Sequence, residues 1–303
     1  MKPSLLLLLT FLILEVKAKE PILSYLSNEY PETNQSHFLT QKRVKTLLIS
    51  EASIYAISLI GLNQLWYSGY PRSRFHFIND NREWLQMDKM GHVSASYYTG
   101  VIGIKAYEWA GFSRKKAIWY GGMTGSVFLT IIEFLDGTSQ QWGASSGDLI
   151  ANTTGSLLAI GQALVWNTQK IQLKYSYSPT KWANINPGQL GKNHLERSLK
   201  DYNGQTYWIT FNINSILNIE NSNIPNWLGF SIGYSGDAMT QPFAEDKAMR
   251  YRQYYLSLDV DLNKIKTKSK IVNSVLYTFG FLKFPMPSLE FSNKNVSFHP
   301  IYY

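Results

Sequence analysis

Between about Lys42 and Trp166 the chain reads as four apolar helical segments joined mostly by short connections, and this constrains its fold more than any other feature. The segments run from Lys42 to Trp66, Lys89 to Ala110, Arg114 to Leu135 and Asp148 to Trp166. The connections Gly111-Phe112-Ser113 and Asp136 to Gly147 imply antiparallel neighbours, while a longer stretch, 67–87, joins the first pair. Gly121 and Gly125 make a GxxxG pair. Ala151, Gly155, Ala159 and Ala163 continue a four-residue step of small side chains, which reads as close helix packing.

After Trp166 the texture changes to β-formers with partial alternation, over 171–177, 206–213, 227–234 and 251–262, separated by Asn, Pro and Gly turns. Lys264, Lys266, Lys268 and Lys270 follow, then a helix near 269–282. The fold class expected is α+β: an N-terminal antiparallel four-helix bundle, long enough to lie in a membrane, then a β-rich antiparallel C-terminal region. The expected divisions are a signal peptide at 1–18, a polar leader at 19–41, a helical bundle domain at 42–168 and the β-rich region at 169–303. Too few strands of spanning length are visible for a complete membrane barrel, and Tyr302-Tyr303 reads as an interface anchor.

Charge is sparse for a soluble domain: 17% of residues are charged and 45% apolar, with 15% aromatic and a net charge of +8. A basic balance allows nucleic acid, but no nucleic-acid motif is present, so an anionic membrane lipid or envelope glycan is the expected partner. Lys2, the apolar run Leu5 to Leu14 and Val16-Lys17-Ala18 have the form of a secretory signal. The absence of cysteine excludes disulfides, thiol catalysis, Cys-based metal sites and lipid attachment at a cysteine within this sequence. Together these point to the periplasm of a bacterium with membrane association, the outer membrane being favoured over the inner. Lys42, Arg43, Lys45, Arg114, Lys115, Lys116, Lys170 and Lys174 would gather at one end of spanning helices, an end the positive-inside rule makes cytoplasmic. A cleaved signal puts Lys42 outside. The conflict disappears if the helices are periplasmic and membrane-associated.

Six polar residues on the apolar segments need a reason, because burying ionisable groups is costly. In an up-and-down bundle Asp88, His92, Glu133, Asp136, Asp148 and Asn152 would all sit at one end. Asp88 and His92, four apart, share a helix face. They read either as an N-cap and a satisfied core histidine or as a carboxylate orienting an acid/base imidazole. Ser145-Ser146-Gly147-Asp148 resembles a capping box with Asp148 at N3, which accounts for Asp148 without function. Asn152 interrupts an apolar face, where its amide can bridge helices or hold a substrate. Glu133 and Asp136 close an apolar helix at the end where its dipole opposes them, and no capping role accounts for Glu133. The expected catalytic residues are therefore His92, Glu133, Asp88 and Asp136. Asp148 and Asn152 are the expected substrate-binding residues, with Arg72 and Arg74 from the loop 67–87 as an anion clamp or as balancing charges. No metal is assigned, although these carboxylates suit a hard cation, and no cofactor is indicated. HExxH, the P-loop and the di-iron Glu-x-x-His spacing are all absent.

Asp88-Lys89-Met90-Gly91-His92, Glu133-Phe134-Leu135-Asp136-Gly137 and Ser146-Gly147-Asp148-Leu149-Ile150-Ala151-Asn152 resemble the YfiM-like family of predicted periplasmic lipoproteins over residues 45–165. Asp201 to Trp208 and Tyr251 to Tyr255 resemble its longer members. A looser similarity is to VanZ-like membrane proteins, from whose pattern the chain departs by having Asp136 in place of a glutamine. The YfiM-like family implies no established activity. The VanZ-like resemblance implies cell-wall or surface chemistry by association alone.

Two functional readings follow. One is an envelope protein with a polar acid/base pocket that binds or acts on an anionic lipid or glycan. The other is a non-catalytic structural or assembly protein of the outer membrane, whose polar cluster fixes helix register.

Overall fold

A computed structural model describes residues 41–217, 223–243 and 250–302. The signal peptide and almost all of the polar leader lie outside the described residues. The fold mixes helix and sheet, with an antiparallel six-stranded sheet in the C-terminal region. Two compact units divide the chain: residues up to Asp80 with Ala95–Gln169, and Asn81–Ser94 with Lys170 onward.

Four long helices occur where the apolar periodicity puts them: α1 (Gln41–Leu62), α2 (Met87–Trp109), α3 (Arg114–Gly137) and α4 (Ser146–Trp166). The boundary between the units falls inside α2. A wider π-type turn, Asn63–Tyr67, extends α1, with Ser68 N donating to Asn63 O at 2.8 Å. α2 ends in a Schellman turn, in which Phe112 N reaches Tyr107 O and Gly111 N reaches Glu108 O. Gly111 occupies the left-handed position at φ 92°, which only glycine adopts without cost. Arg114 pairs with Glu108 across this turn.

Within the helical unit the small residues mark the closest approaches. A Cβ on Gly121 would collide with the Gly103 backbone, and one on Gly125 with Ser96. These contacts step backward along one helix as they step forward along the other, so α2 and α3 run antiparallel. α1 joins through Tyr55, whose hydroxyl donates to Thr124 O at 2.9 Å, and through Glu51, which accepts from Tyr107. The helices turn large apolar side chains outward, among them Ile49, Ile60, Val127, Phe134, Leu157 and Val165. Gln41–Tyr67, Arg114–Gly137 and Ser146–Trp166 are long and apolar enough to cross a membrane, by length and composition. A short parallel pair, β1 (Phe77–Ile78) with β2 (Ala144–Ser145), fastens the loop after α1 to the loop before α4.

The sheet unit is a meander of β3 (Ile171–Tyr177), β4 (Gln205–Asn212), β5 (Leu228–Asp237), β6 (Tyr251–Val260), β7 (Met286–Ser292) and β8 (Asn295–Tyr302), hydrogen-bonded in chain order. Four of these strands fall on the expected segments, and β7 and β8 are additional. Short helices α5 (Trp182–Ile185), α6 (Pro187–Leu190) and α7 (His194–Lys200) join β3 to β4, α8 (Ile213–Leu217) follows β4, and α9 (Lys270–Thr278) precedes β7. The register aligns whole rows of side chains. One row reads Leu173, Ile209, Ile232, Leu256, Leu289, Phe298, and the next on the same face reads Tyr175, Tyr207, Tyr234, Tyr254, Phe291, Val296. The opposite face carries Gln172, Thr210, Ser231, Ser257, Ser288 and His299 in one row, and Lys174, Trp208, Gly233, Tyr255, Glu290 and Ser297 in another.

The polar face is the inner one. Lys174 is fully buried, its Nζ 2.8 Å from Asp259 Oδ2, and Lys283 approaches Asp259 Oδ1 at 3.5 Å. Thr210 and Ser231 also donate to Asp259 Oδ2. Lys174 is thus part of the sheet interior and does not flank a helix end. The sheet is strongly rolled: Tyr302 OH lies 3.2 Å from Thr206 Oγ1 and 2.9 Å from Tyr255 OH. A flat sheet would hold β4 and β8 about 19 Å apart. Tyr302 therefore points into the roll, contrary to its expected place as an interface anchor; Tyr303 lies outside the described residues.

Ahead of α2, three consecutive residues, Trp84, Leu85 and Gln86, take positive φ angles of 47°, 52° and 64°. Left-handed backbone at non-glycine residues is costly and persists only where surroundings hold it. Here Trp84 N donates to Pro242 O at 2.9 Å, Tyr234 OH to Leu85 O, and Arg252 to Gln86 Oε1 at 2.7 Å.

Candidate functional site

Glu133, Asp136, Asp148 and Asn152 belong to the helical unit, and Asp88 and His92 to the sheet unit. In the helical unit the centre of organisation is the N-terminus of α4. Ser145 is its N-cap, and its Oγ accepts from Asp148 N at 3.2 Å while donating to Asp80 Oδ1 at 2.5 Å. In a complete capping box the N3 side chain would return to the N-cap N–H. That N–H instead goes to Glu133, with Ser145 N donating to Glu133 Oε2 at 2.9 Å. The box is closed from α3, by a residue twelve positions upstream, so Glu133 does have a capping role, contrary to expectation: it caps a neighbouring helix, which spacing along its own helix does not reveal.

Three carboxylates, those of Asp80, Glu133 and Asp148, thus gather at one helix N-terminus, where backbone N–H groups and the helix dipole favour negative charge. Glu133 and Asp148 are buried. The β1–β2 pairing brings Asp80 there, with Ile78 opposite Ser145 and Ala144 N donating to His76 O at 3.0 Å.

Asp136, also buried, accepts from Tyr67 OH at 2.6 Å, and the π-type turn places that hydroxyl. Trp142 packs edge-on against Tyr67 at 5.5 Å and Tyr70 at 4.9 Å. Arg72 lies over the Tyr67 ring at 5.7 Å, and its guanidinium donates to Asn63 Oδ1 at 2.9 Å and Thr138 Oγ1 at 3.3 Å. It ties the loop to the ends of α1 and α3. The backbone carbonyl of Arg74 accepts from Ser73 Oγ at 3.0 Å. Phe75 stacks on Phe134 and covers Gly137, where any Cβ would meet its ring.

Asn152 takes part through its carbonyl, which accepts from Ser96 Oγ at 2.5 Å. Ser96 also meets Ser156 Oγ at 2.9 Å, and Ser156 Oγ accepts from Ser126 N at 3.1 Å. This buried serine relay joins α2, α3 and α4.

In the sheet unit Asp88 lies in the first turn of α2, one residue inside the helix start at Met87 and so past the N-cap position. Its Oδ1 accepts from Tyr202 OH at 2.7 Å, and its Oδ2 lies 3.6 Å from Lys89 Nζ and 3.9 Å from His92 Nε2. His92 is buried. Tyr202 packs on Trp84, and Asn203 next to it binds Asp201 and Met239. Asp201 is buried, and burial raises its carboxyl above the ordinary value despite donors from Thr180 and Asn203.

Sequence reasoning missed Asp80, Tyr67 and Tyr202. Tyr202 stands within the quoted segment Asp201 to Trp208, a signal that could have drawn attention to it. Asp80 and Tyr67 are set by long-range pairing and a π-type turn, which leave no local mark.

Residues 76–163 match the family described as "Predicted periplasmic lipoprotein (DUF2279)". The match covers the segment holding Asp88 through Asn152 and supports a periplasmic, membrane-associated protein of an uncharacterised family. It does not speak for the YfiM-like or VanZ-like resemblances. No curated protein and no solved structure matches the chain.

Proposed function

We propose that the protein is a non-catalytic structural component of the bacterial envelope, membrane-associated, whose carboxylates on apolar helices fix the register of those helices. The observation that carries this reading is the hydrogen bond from Ser145 N to Glu133 Oε2. It gives the carboxylate with least local justification a structural task, closing the cap of a neighbouring helix. Tyr67 does the same for Asp136. Groups that satisfy one another in a dry interior specify one arrangement, because every alternative leaves some of them without their partners. The outward apolar side chains of α1, α3 and α4 suit a lipid environment.

A second reading keeps the acid/base pocket for an anionic envelope lipid or glycan. It assigns Glu133 and His92 as acid/base groups and Asp88 as the group orienting His92. Asp136, Asp148 and Asn152 position substrate, and Arg72 and Arg74 meet the anion. The aromatic loop with Arg72 stacked beside the Tyr67–Asp136 pair favours it.

The two are separated by scoring Asp88→Asn, His92→Gln and Glu133→Ala for melting temperature and for complementation of a deletion strain. The structural reading expects complementation to fall in step with melting temperature. A variant that melts like the wild type yet fails to complement overturns it in favour of the second reading.

A further inference from the structure

We propose that the outward face of β4–β8 is a lipid-contacting surface, seated among acyl chains with Tyr254 at the headgroup level. The proposal deepens the membrane-associated reading and names the surface and the partner. A soluble sheet hides its apolar face and shows its polar one; this sheet is the reverse. Ile232, Leu256, Leu289 and Phe298, neighbours in one row, are all exposed, while Ser231, Ser257 and Ser288 on the other face are buried.

The interior tells what the exterior faces. Inside the roll are two lysines and an aspartate, Lys174, Lys283 and Asp259, with hydroxyls donating to the carboxylate. A polar interior with an apolar outside is the arrangement of β-structure in lipid.

The outward side chains also change along the strand as depth in a membrane requires. On β6 they run Leu258, Leu256, Tyr254, Arg252: aliphatic, then aromatic, then charged. On β5 Phe230, Ile232 and Tyr234 run alongside, opposite Leu258, Leu256 and Tyr254. From Leu258 to Tyr254 is about 13 Å of strand, well short of the roughly 9–11 residues of a spanning strand, so the belt suits seating in one leaflet. At the β3 side the tyrosines are covered, Tyr175 donating to Ser198 O of the short helix α7. The exposed belt therefore starts at Ile209 on β4 and continues around the roll to Ile301 on β8. A protein partner would cover one side of such a curved belt, whereas lipid surrounds it.

The chain has no cysteine, so single cysteines report cleanly. Tyr254→Cys, Leu256→Cys and Leu258→Cys, with Ser257→Cys as the inward control, are made in the full chain and reconstituted in phosphatidylcholine vesicles. They are labelled with an environment-sensitive fluorophore. The expected result is blue-shifted emission at 256 and 258, lost with quencher-bearing lipid and insensitive to aqueous iodide. Position 254 should respond to both quenchers, and 257 should remain unlabelled until the protein is denatured. Quenching of 256 and 258 by iodide overturns the proposal in favour of a solvated face. Protection from both quenchers overturns it in favour of a second copy or another protein. Glu133→Ala should leave this pattern unchanged, so failure here is distinguishable from failure of the structural reading of the helical unit.

Discussion

Glu133 on α3 accepts the backbone N–H of Ser145, the N-cap of α4, at 2.9 Å. Two helices are thereby joined through the group that starts one of them, and the Ser145 hydroxyl completes the junction with Asp80 and Asp148. Ser145→Ala removes the cap to Asp148 N and the donor to Asp80 but leaves the bond to Glu133. Loss of such a cap costs about 0.5–2 kcal/mol. The variant should be less stable than the wild type by an amount in that range and melt at a lower temperature, read by circular dichroism in detergent.

Tyr67→Phe deletes the hydroxyl that donates to Asp136. Hydrogen bonds to charged groups are worth about 1.5–3 kcal/mol. Combined with Asp136→Asn in a double-mutant cycle, the two losses should be non-additive, the double variant being more stable than the sum of the singles predicts. Strict additivity would show that this contact contributes nothing.

Asp201 gives the chain a pH dependence of definite sign. Burial raises its folded-state value above the ordinary 3.8. A raised folded value means that the favourable contribution is present below 3.8 and is lost as pH rises through the folded value. Denaturant midpoints of the wild type should therefore carry a component that falls over this window. In Asp201→Asn that component should vanish, while the amide oxygen still accepts from Asn203.

Asp259 is the only carboxylate that the described contacts place within ion-pair distance of both buried lysines. Asp259→Ala leaves Lys174 and Lys283 without it, and breaking a buried pair costs about 3–5 kcal/mol. It should destabilise the sheet unit more than Lys174→Met does, because the latter removes a charge and the former strands two. Unfolding midpoints of the two variants check the order.

The helices and four strands were legible because period and turn chemistry are local properties. β7 and β8 were not, since Pro287 and Pro300 and the polar residues of 292–295 dilute their alternation. Alternation also gives the period of a strand without saying which face is inside. The inversion of the sheet emerged only from Lys174, whose charge suggested a helix flank and whose side chain is buried against Asp259. The half of the capping box between Ser145 and Asp148 was readable from spacing. Its other half comes from Glu133, and Tyr67 and Asp80 come from a π-type turn and a two-residue strand pair, so only tertiary structure reveals them.

The most direct test of the structural role is Glu133→Gln, which keeps an oxygen to accept from Ser145 N and removes the acid/base group. Complementation of a deletion strain by this variant, with its melting temperature measured alongside, is the decisive measurement. The account predicts full complementation and a melting temperature close to that of the wild type. A variant that melts normally and does not complement would contradict it.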